Sequence, residues 1–222
     1  MNNVNYCERS KEGTKRILDL REDISDFLFH FTKGANAFED LCEILSSGKL
    51  IDIKKRGFIC FTEAPLRMLQ PMLDYFSTRY PEKPMYAPYG IGINKYSFFD
   101  IGGRPVIYGK EEERELLDDS IKWRFEKMND PILNYSWLRE WRINKSELPF
   151  SRNGIMVITK MEEEQALLCH KLIDNTPAWY TEKDGAFFDI ERDYFGVSME
   201  EISRFNSKHD LLKQLLTQND EM

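Results

Sequence analysis

The chain has 222 residues, 41% hydrophobic and 31% charged, and its 38 acids against 31 bases leave a net charge of −7. That apolar share fills a core and argues against a disordered or low-complexity chain. The acidic balance argues against a protein that coats nucleic acid by bulk electrostatics, which needs a basic face. No apolar run approaches the ~18–20 residues of a membrane span, and the N-terminal MNNVNYCERSKEGTKR lacks the apolar stretch of a secretory signal. Cys7, Cys42, Cys60 and Cys169 are scattered without close pairs. They read as reduced thiols of a cytoplasmic protein, with no disulfide framework and no metal site.

In chain order, residues 8–22 read as a short surface helix and DFLFHF (26–31) as a buried strand. Asn36 and Glu39 have the spacing of a reciprocal helix start. The following AFEDLCEILSSGKL carries Phe38, Leu41, Cys42, Ile44 and Leu45 on one stripe and ends at Gly48. GFICFT (57–62) predicts another strand, and Pro65 opens a helix bearing Leu66, Leu69, Met72, Leu73 and Phe76. Three prolines make PEKPMYAPYG a loop. YGIGINKY (89–96) and RPVIYG (104–109) predict strands joined around Gly102-Gly103, and 110–128 a charged helix. WLREWRIN (137–144), NGIMVIT (153–159) and GAFFDI (185–190) predict further strands. Thr159 with Glu162, and Ser198 with Glu201, look like capping boxes before helices. No linker divides the chain. The expectation is one α+β domain over 1–222, with a helical extension over 1–25 and a C-terminal amphipathic helix over 197–222.

Phosphate-binding loops, dinucleotide-binding glycine fingerprints, nucleophile elbows and zincin motifs are all missing from the sequence. Instead, polar residues interrupt apolar strands or stand at their ends: His30 and Thr32 in LFHFT, Thr62 and Glu63 with Arg67 in CFTEAPLR, Tyr89-Gly90 in APYGIG, and Glu140 in LREWRI. Strand ends commonly display binding groups. Each residue also has a plain structural reading: a core histidine, a helix-start glutamate, a surface arginine, a packing tyrosine, and a solvent-side pair of Glu140 with Arg142 on the same strand face.

The order of LFHFTKGANAFEDLCEILSSGKLI, GFICFTEAPLRML, YAPYGIGINKYSFFDIGGRPVIYG and REWRI resembles the DarT-type branch of the ADP-ribosyltransferase superfamily, and is most similar to the AbiGi family of phage abortive-infection proteins. The likeness spans roughly residues 27–145. It implies a split mixed sheet with flanking helices that holds NAD in a cleft. On this likeness Glu140 is the catalytic carboxylate and Arg67 the phosphate-clamping arginine. His30, beside Phe31 and Thr32, holds the adenosine-side ribose. Thr62, Glu63, Tyr89, Gly90 and Tyr96 complete the cofactor site, with Tyr89 or Tyr96 stacking on nicotinamide. The residue types suit the chemistry. Losing nicotinamide develops positive charge on the ribose, which a fixed carboxylate stabilises, and a guanidinium fork fits pyrophosphate. The resemblance thus implies a toxin that transfers ADP-ribose from NAD to an RNA or DNA base and is neutralised by a protein antitoxin. Lys54, Lys55 and Arg56, or Arg79 with Lys83, are candidates to guide the strand, and Tyr86 or Trp137 to stack a base. Two other readings stay open. One is a catalytically inactive antitoxin or protein-binding module that docks through helix 110–128 or the C-terminal helix. The other is a hydrolase that pairs Glu63 with Glu140.

Overall fold

Strands whose successive side chains serve opposite faces organise the computed structural model, which describes residues 21–128, 134–172 and 190–204 together with 11, 13, 14 and 17. In chain order the strands are β1 (Phe27–Phe31), β2 (Lys49–Ile51), β3 (Ile59–Thr62), β4 (Gly90–Asn94), β5 (Arg104–Pro105), β6 (Ile107–Gly109), β7 (Phe125–Lys127), β8 (Glu140–Ile143), β9 (Glu147–Pro149), β10 (Ile155–Thr159), β11 (His170–Leu172), β12 (Ile190–Arg192) and β13 (Phe195–Ser198). The helices are α1 (Ala37–Ser47), α2 (Leu66–Arg79), α3 (Lys95–Asp100), α4 (Glu162–Cys169) and α5 (Met199–Ser203). Seven strands form one mixed sheet in the order β13-β10-β4-β1-β3-β8-β5. Only β10 and β13 run parallel within it.

Two apolar layers cover the sheet. Leu28 of β1, Ile59 and Phe61 of β3, Ile91 and Ile93 of β4, Ile143 of β8, and Ile155 and Val157 of β10 pack with Leu41 and Leu45 of α1 and Phe98 of α3. The alternate residues Phe29, Phe31, Met156, Ile158 and Val197 pack with Leu66, Leu69 and Leu73 of α2 and Ile202 of α5. All five residues of β10 are buried, as expected of a strand covered on both faces.

The sheet is not uniformly knit. β1 pairs with β4 at five positions and β3 with β8 at four, whereas β1 and β3 share the single pair Phe29–Thr62. The two halves therefore part beyond that point. β4 approaches β1 so closely that a Cβ on Gly90 would overlap the His30 carbonyl, so Gly90 is required by strand packing.

Several expectations need correcting. Segment 110–128 is not a helix. Glu111–Leu116 and Lys122–Arg124 are short 3₁₀ turns, followed by β7. Leu116 is 84% exposed, whereas Phe125, already in β7, is buried. The strand expected through Tyr96 ends at Asn94, whose side chain accepts from the Tyr96 and Ser97 amides and starts α3. Asn36 makes no side-chain cap, although Gly48 closes α1 in the left-handed conformation. The start of α4 is set by the Met161 amide on the Glu164 carboxylate, two residues beyond the expected Thr159–Glu162 box. Ser198 does cap α5, accepting from the Glu201 amide. Residues 11, 13, 14 and 17 are helical. Residues 185–189 and the helix expected after Arg204 lie outside the described residues. Cys42, Cys60 and Cys169 are free thiols, and no helix among the described residues is long and apolar enough to cross a membrane.

Gly90→Ala is expected to cost stability at the upper end of about 1–3 kcal/mol, because the added methyl meets backbone that cannot rotate away. Urea unfolding of the two proteins measures it, and equal midpoints would refute the close approach.

Candidate active site in the parting of the sheet

Where β1 leaves β3, the Cys60 carbonyl faces the His30 imidazole, with Nδ1 2.8 Å from the oxygen. A carbonyl only accepts, so Nδ1 carries the proton and Nε2 is left as an acceptor. The ring also packs on Phe61, with centroids 5.5 Å apart. Burial holds the His30 pKa below its ordinary value of 6.5, and the nearby cations Lys33 and Arg56 act in the same direction. Histidine is thus neutral at pH 7.

His30, Thr62 and Glu140 line one cleft of about 660 Å³ at this parting, a size typical of small-molecule sites. Its apolar lining includes Phe29, Phe31, Phe61, Leu69 and Met72. Glu140 is delivered to it by a tight turn. Arg139 takes the left-handed conformation (φ 46°) between the 3₁₀ turn Ser136–Leu138 and β8. The Thr62 hydroxyl donates to the Leu138 carbonyl, tying that turn to β3. Arg142, two residues along the same strand face, donates from Nε to Glu140 Oε1 at 2.7 Å. The pair does not face solvent as the solvent-side reading supposed: the Arg142 and Glu140 side chains are 4% and 13% exposed.

Cations and aromatic rings edge the cleft. The hairpin-like loop after β2 is folded around Asp52, which accepts from the Gly57 amide, and it brings Lys54 and Arg56 to the cleft. Arg56 lies over the Phe58 ring at 4.8 Å. The proline-rich loop is fastened to the end of β1 by Thr32 N to Tyr89 O, Ala87 N to Thr32 O and Gly34 N to Pro84 O. This places Tyr86 in the lining with Lys33 Nζ 4.6 Å above its ring. Burial, with a smaller contribution from the Glu140 carboxylate, pushes the Tyr86 phenol up to about 12. The Cys60 thiol is likewise pushed up to about 12 by burial and then by Glu140. Burial lowers the Lys33 pKa, as do the neighbouring Lys54 and Arg56. Lys33, Lys54 and Arg56 form a cationic group in which, among the described residues, none makes an ion pair.

The remaining candidates divide between the cleft and other places. Phe31 and Thr32 line the cleft, but the Thr32 hydroxyl is shared between the Ala37 and Tyr89 carbonyls, so it serves the backbone. Arg67 is exposed on α2 and is not among the lining residues. Glu63 is not among the lining residues and is engaged elsewhere: it binds Lys95 Nζ at 3.0 Å and accepts from Trp141 Nε1 at 2.9 Å. The geometry therefore does not bring Glu63 and Glu140 together as a carboxylate pair. Tyr89 donates to Glu164 and stands edge-on to Phe38. Burial and that bond raise its pKa. Tyr96 is 57% exposed beside Lys95, and Trp137 is 44% exposed; neither lines the cleft. Sequence reasoning missed Lys33 and Tyr135, and gave Arg142 only a surface role. The one available signal was position, since Lys33 directly follows the His-Phe-Thr strand and Arg142 shares a face with Glu140.

The unfolded chain binds a proton at His30 near pH 6.5 while the folded one resists it, so stability falls as pH drops below about 6.5. In His30→Gln, which keeps an N–H donor but does not titrate, the loss between pH 7 and 5 should be smaller than in the parent. Urea midpoints across that range check this, and parallel slopes would refute it. No protein-family model matches the chain, and no curated protein or solved structure matches it significantly.

Proposed function

We propose that the protein is an NAD-dependent ADP-ribosyltransferase with its sheet split in the manner of that superfamily, and that Glu140 is the catalytic carboxylate. The observation that carries this reading is the convergence of a neutral histidine, a clamped carboxylate, and a cationic and aromatic rim on one cleft at the parting of β1 and β3. The residues suit a dinucleotide. Nε2 of His30 is placed to accept from a ribose hydroxyl. Lys33, Lys54 and Arg56 supply positive charge for the pyrophosphate, in the role first expected of Arg67. Tyr86, held by Lys33, replaces Tyr89 and Tyr96 as the stacking ring.

NAD contributes a glycosidic bond whose cleavage leaves positive charge on the ribose. Glu140 meets that charge with a carboxylate already oriented by Arg142, so little reorganisation accompanies reaction. The same oxygen pair can take the proton of an incoming nucleophile. Following the sequence resemblance, the acceptor is an RNA or DNA base and the biological role that of a phage-defence toxin held by an antitoxin. In the alternative binding module one of the two docking elements differs from expectation, because 110–128 forms short 3₁₀ turns and a strand in place of an acidic helix.

Purified Glu140→Gln, which keeps an acceptor oxygen for Arg142, should lower NAD consumption by about 10²–10³-fold while still unfolding in one cooperative transition; equal consumption by both proteins would sink the proposal. Arg56→Ala should raise the KM for NAD about tenfold or more while kcat stays nearly constant, as expected when ground-state binding to an ion is removed. Initial-rate kinetics separate the two parameters.

A further inference from the structure

We infer that Arg142 is the positioning residue for Glu140, and that it ties the orientation of that carboxylate to the seating of segment 122–127. The inference rests on the enzymatic reading above. Each nitrogen of the guanidinium is engaged. Nε donates to Glu140 at 2.7 Å, Nη1 to the carbonyls of Trp123 at 3.1 Å and Phe125 at 2.8 Å, and Nη2 to the Glu126 carboxylate. The plane also lies 4.3 Å from the Phe58 ring centroid. With its side chain 4% exposed and bonded on three sides, the fork cannot follow a moving carboxylate, so it holds Glu140 in one rotamer at the cleft.

The two carbonyls alone do not account for this arrangement. They are satisfied by Nη1, yet Nε is directed along the strand face to a cleft-lining acid. A lysine has three donors on one atom and cannot span acceptors that lie on β8 and on segment 122–127 at once. Glu126 also lines the cleft and completes the set from its other side. A displacement of 122–127 would therefore release the guanidinium and, through it, the orientation of Glu140.

The test is the kinetics of NAD consumption by folded variants. Arg142→Lys should lower kcat about tenfold or more with KM for NAD within about twofold, the pattern of a lost transition-state interaction. Glu126→Gln, which removes one charge from a half-exposed position, should show the same split with a smaller fall. Placed on the Glu140→Gln background, Arg142→Lys should lower the residual rate no further, because it acts through that carboxylate. An unchanged kcat in folded Arg142→Lys overturns the inference, as does an equal additional loss on the Glu140→Gln background. If Arg142→Lys shows no cooperative unfolding transition, Glu126→Gln decides, and an unchanged kcat there overturns it. A parent protein that consumes no NAD removes both this inference and the enzymatic reading. An active parent with an inactive Glu140→Gln and an indifferent Arg142→Lys removes this inference alone.

Discussion

A backbone carbonyl that loses its ladder partner must find another donor or open to water. At the parting of β1 and β3 the Cys60 carbonyl has one, the imidazole of His30. A single side-chain bond thus stands in for a rung of the sheet and allows two strands to separate without leaving that part-buried oxygen unsatisfied. The cleft is the space so opened. The same bond selects the tautomer of the ring, so the device that permits the cavity also sets the hydrogen-bonding character of its histidine.

The second constraint is electrostatic. Arg142 and Glu140 are both largely withdrawn from water, and removing one member of such a pair typically costs about 3–5 kcal/mol because the other is stranded. Arg142 offsets this by bonding two carbonyls and a second carboxylate. The arrangement favours a rigid acid at the cleft over a more stable apolar filling, which is the usual compromise where geometry matters more than stability.

Legibility in the sequence followed the range of the interaction. β1, β3 and β10 could be read because FLFHF, ICFT and IMVIT are short runs rich in aromatic and β-branched residues. α1 and α2 could be read from their apolar spacing, including the proline start of α2. The run KYSFFD was hidden because its aromatics favour a strand, and one Asn94 side chain overrides them by capping a helix. The stretch EEERELL suggested a charged helix, but it forms only a short 3₁₀ turn that leaves Leu116 84% exposed. At the site, polar groups inside apolar strands were visible as anomalies, yet their partners depend on register and on loops folded back from far away. Tyr86 reaches the cleft only because Thr32, Gly34 and Ala87 fasten two distant segments. Arg56 reaches it only because Asp52 folds its loop. Conversely, Glu63 and Tyr89 were equally conspicuous in sequence, and both turn out to bond structural partners.

The outer strand β5 carries one more implication. It is two residues long, and its second residue, Pro105, has no amide proton, while the Pro105 carbonyl accepts from Arg124 Nε at 3.0 Å. The next amide, Val106, is already bonded to the Glu140 carbonyl. This border of the sheet therefore offers no row of free donors and acceptors to an extended segment from another molecule. Crowded copies of the protein have no template there for growing into fibres, and any companion that grips this margin must do so through side chains.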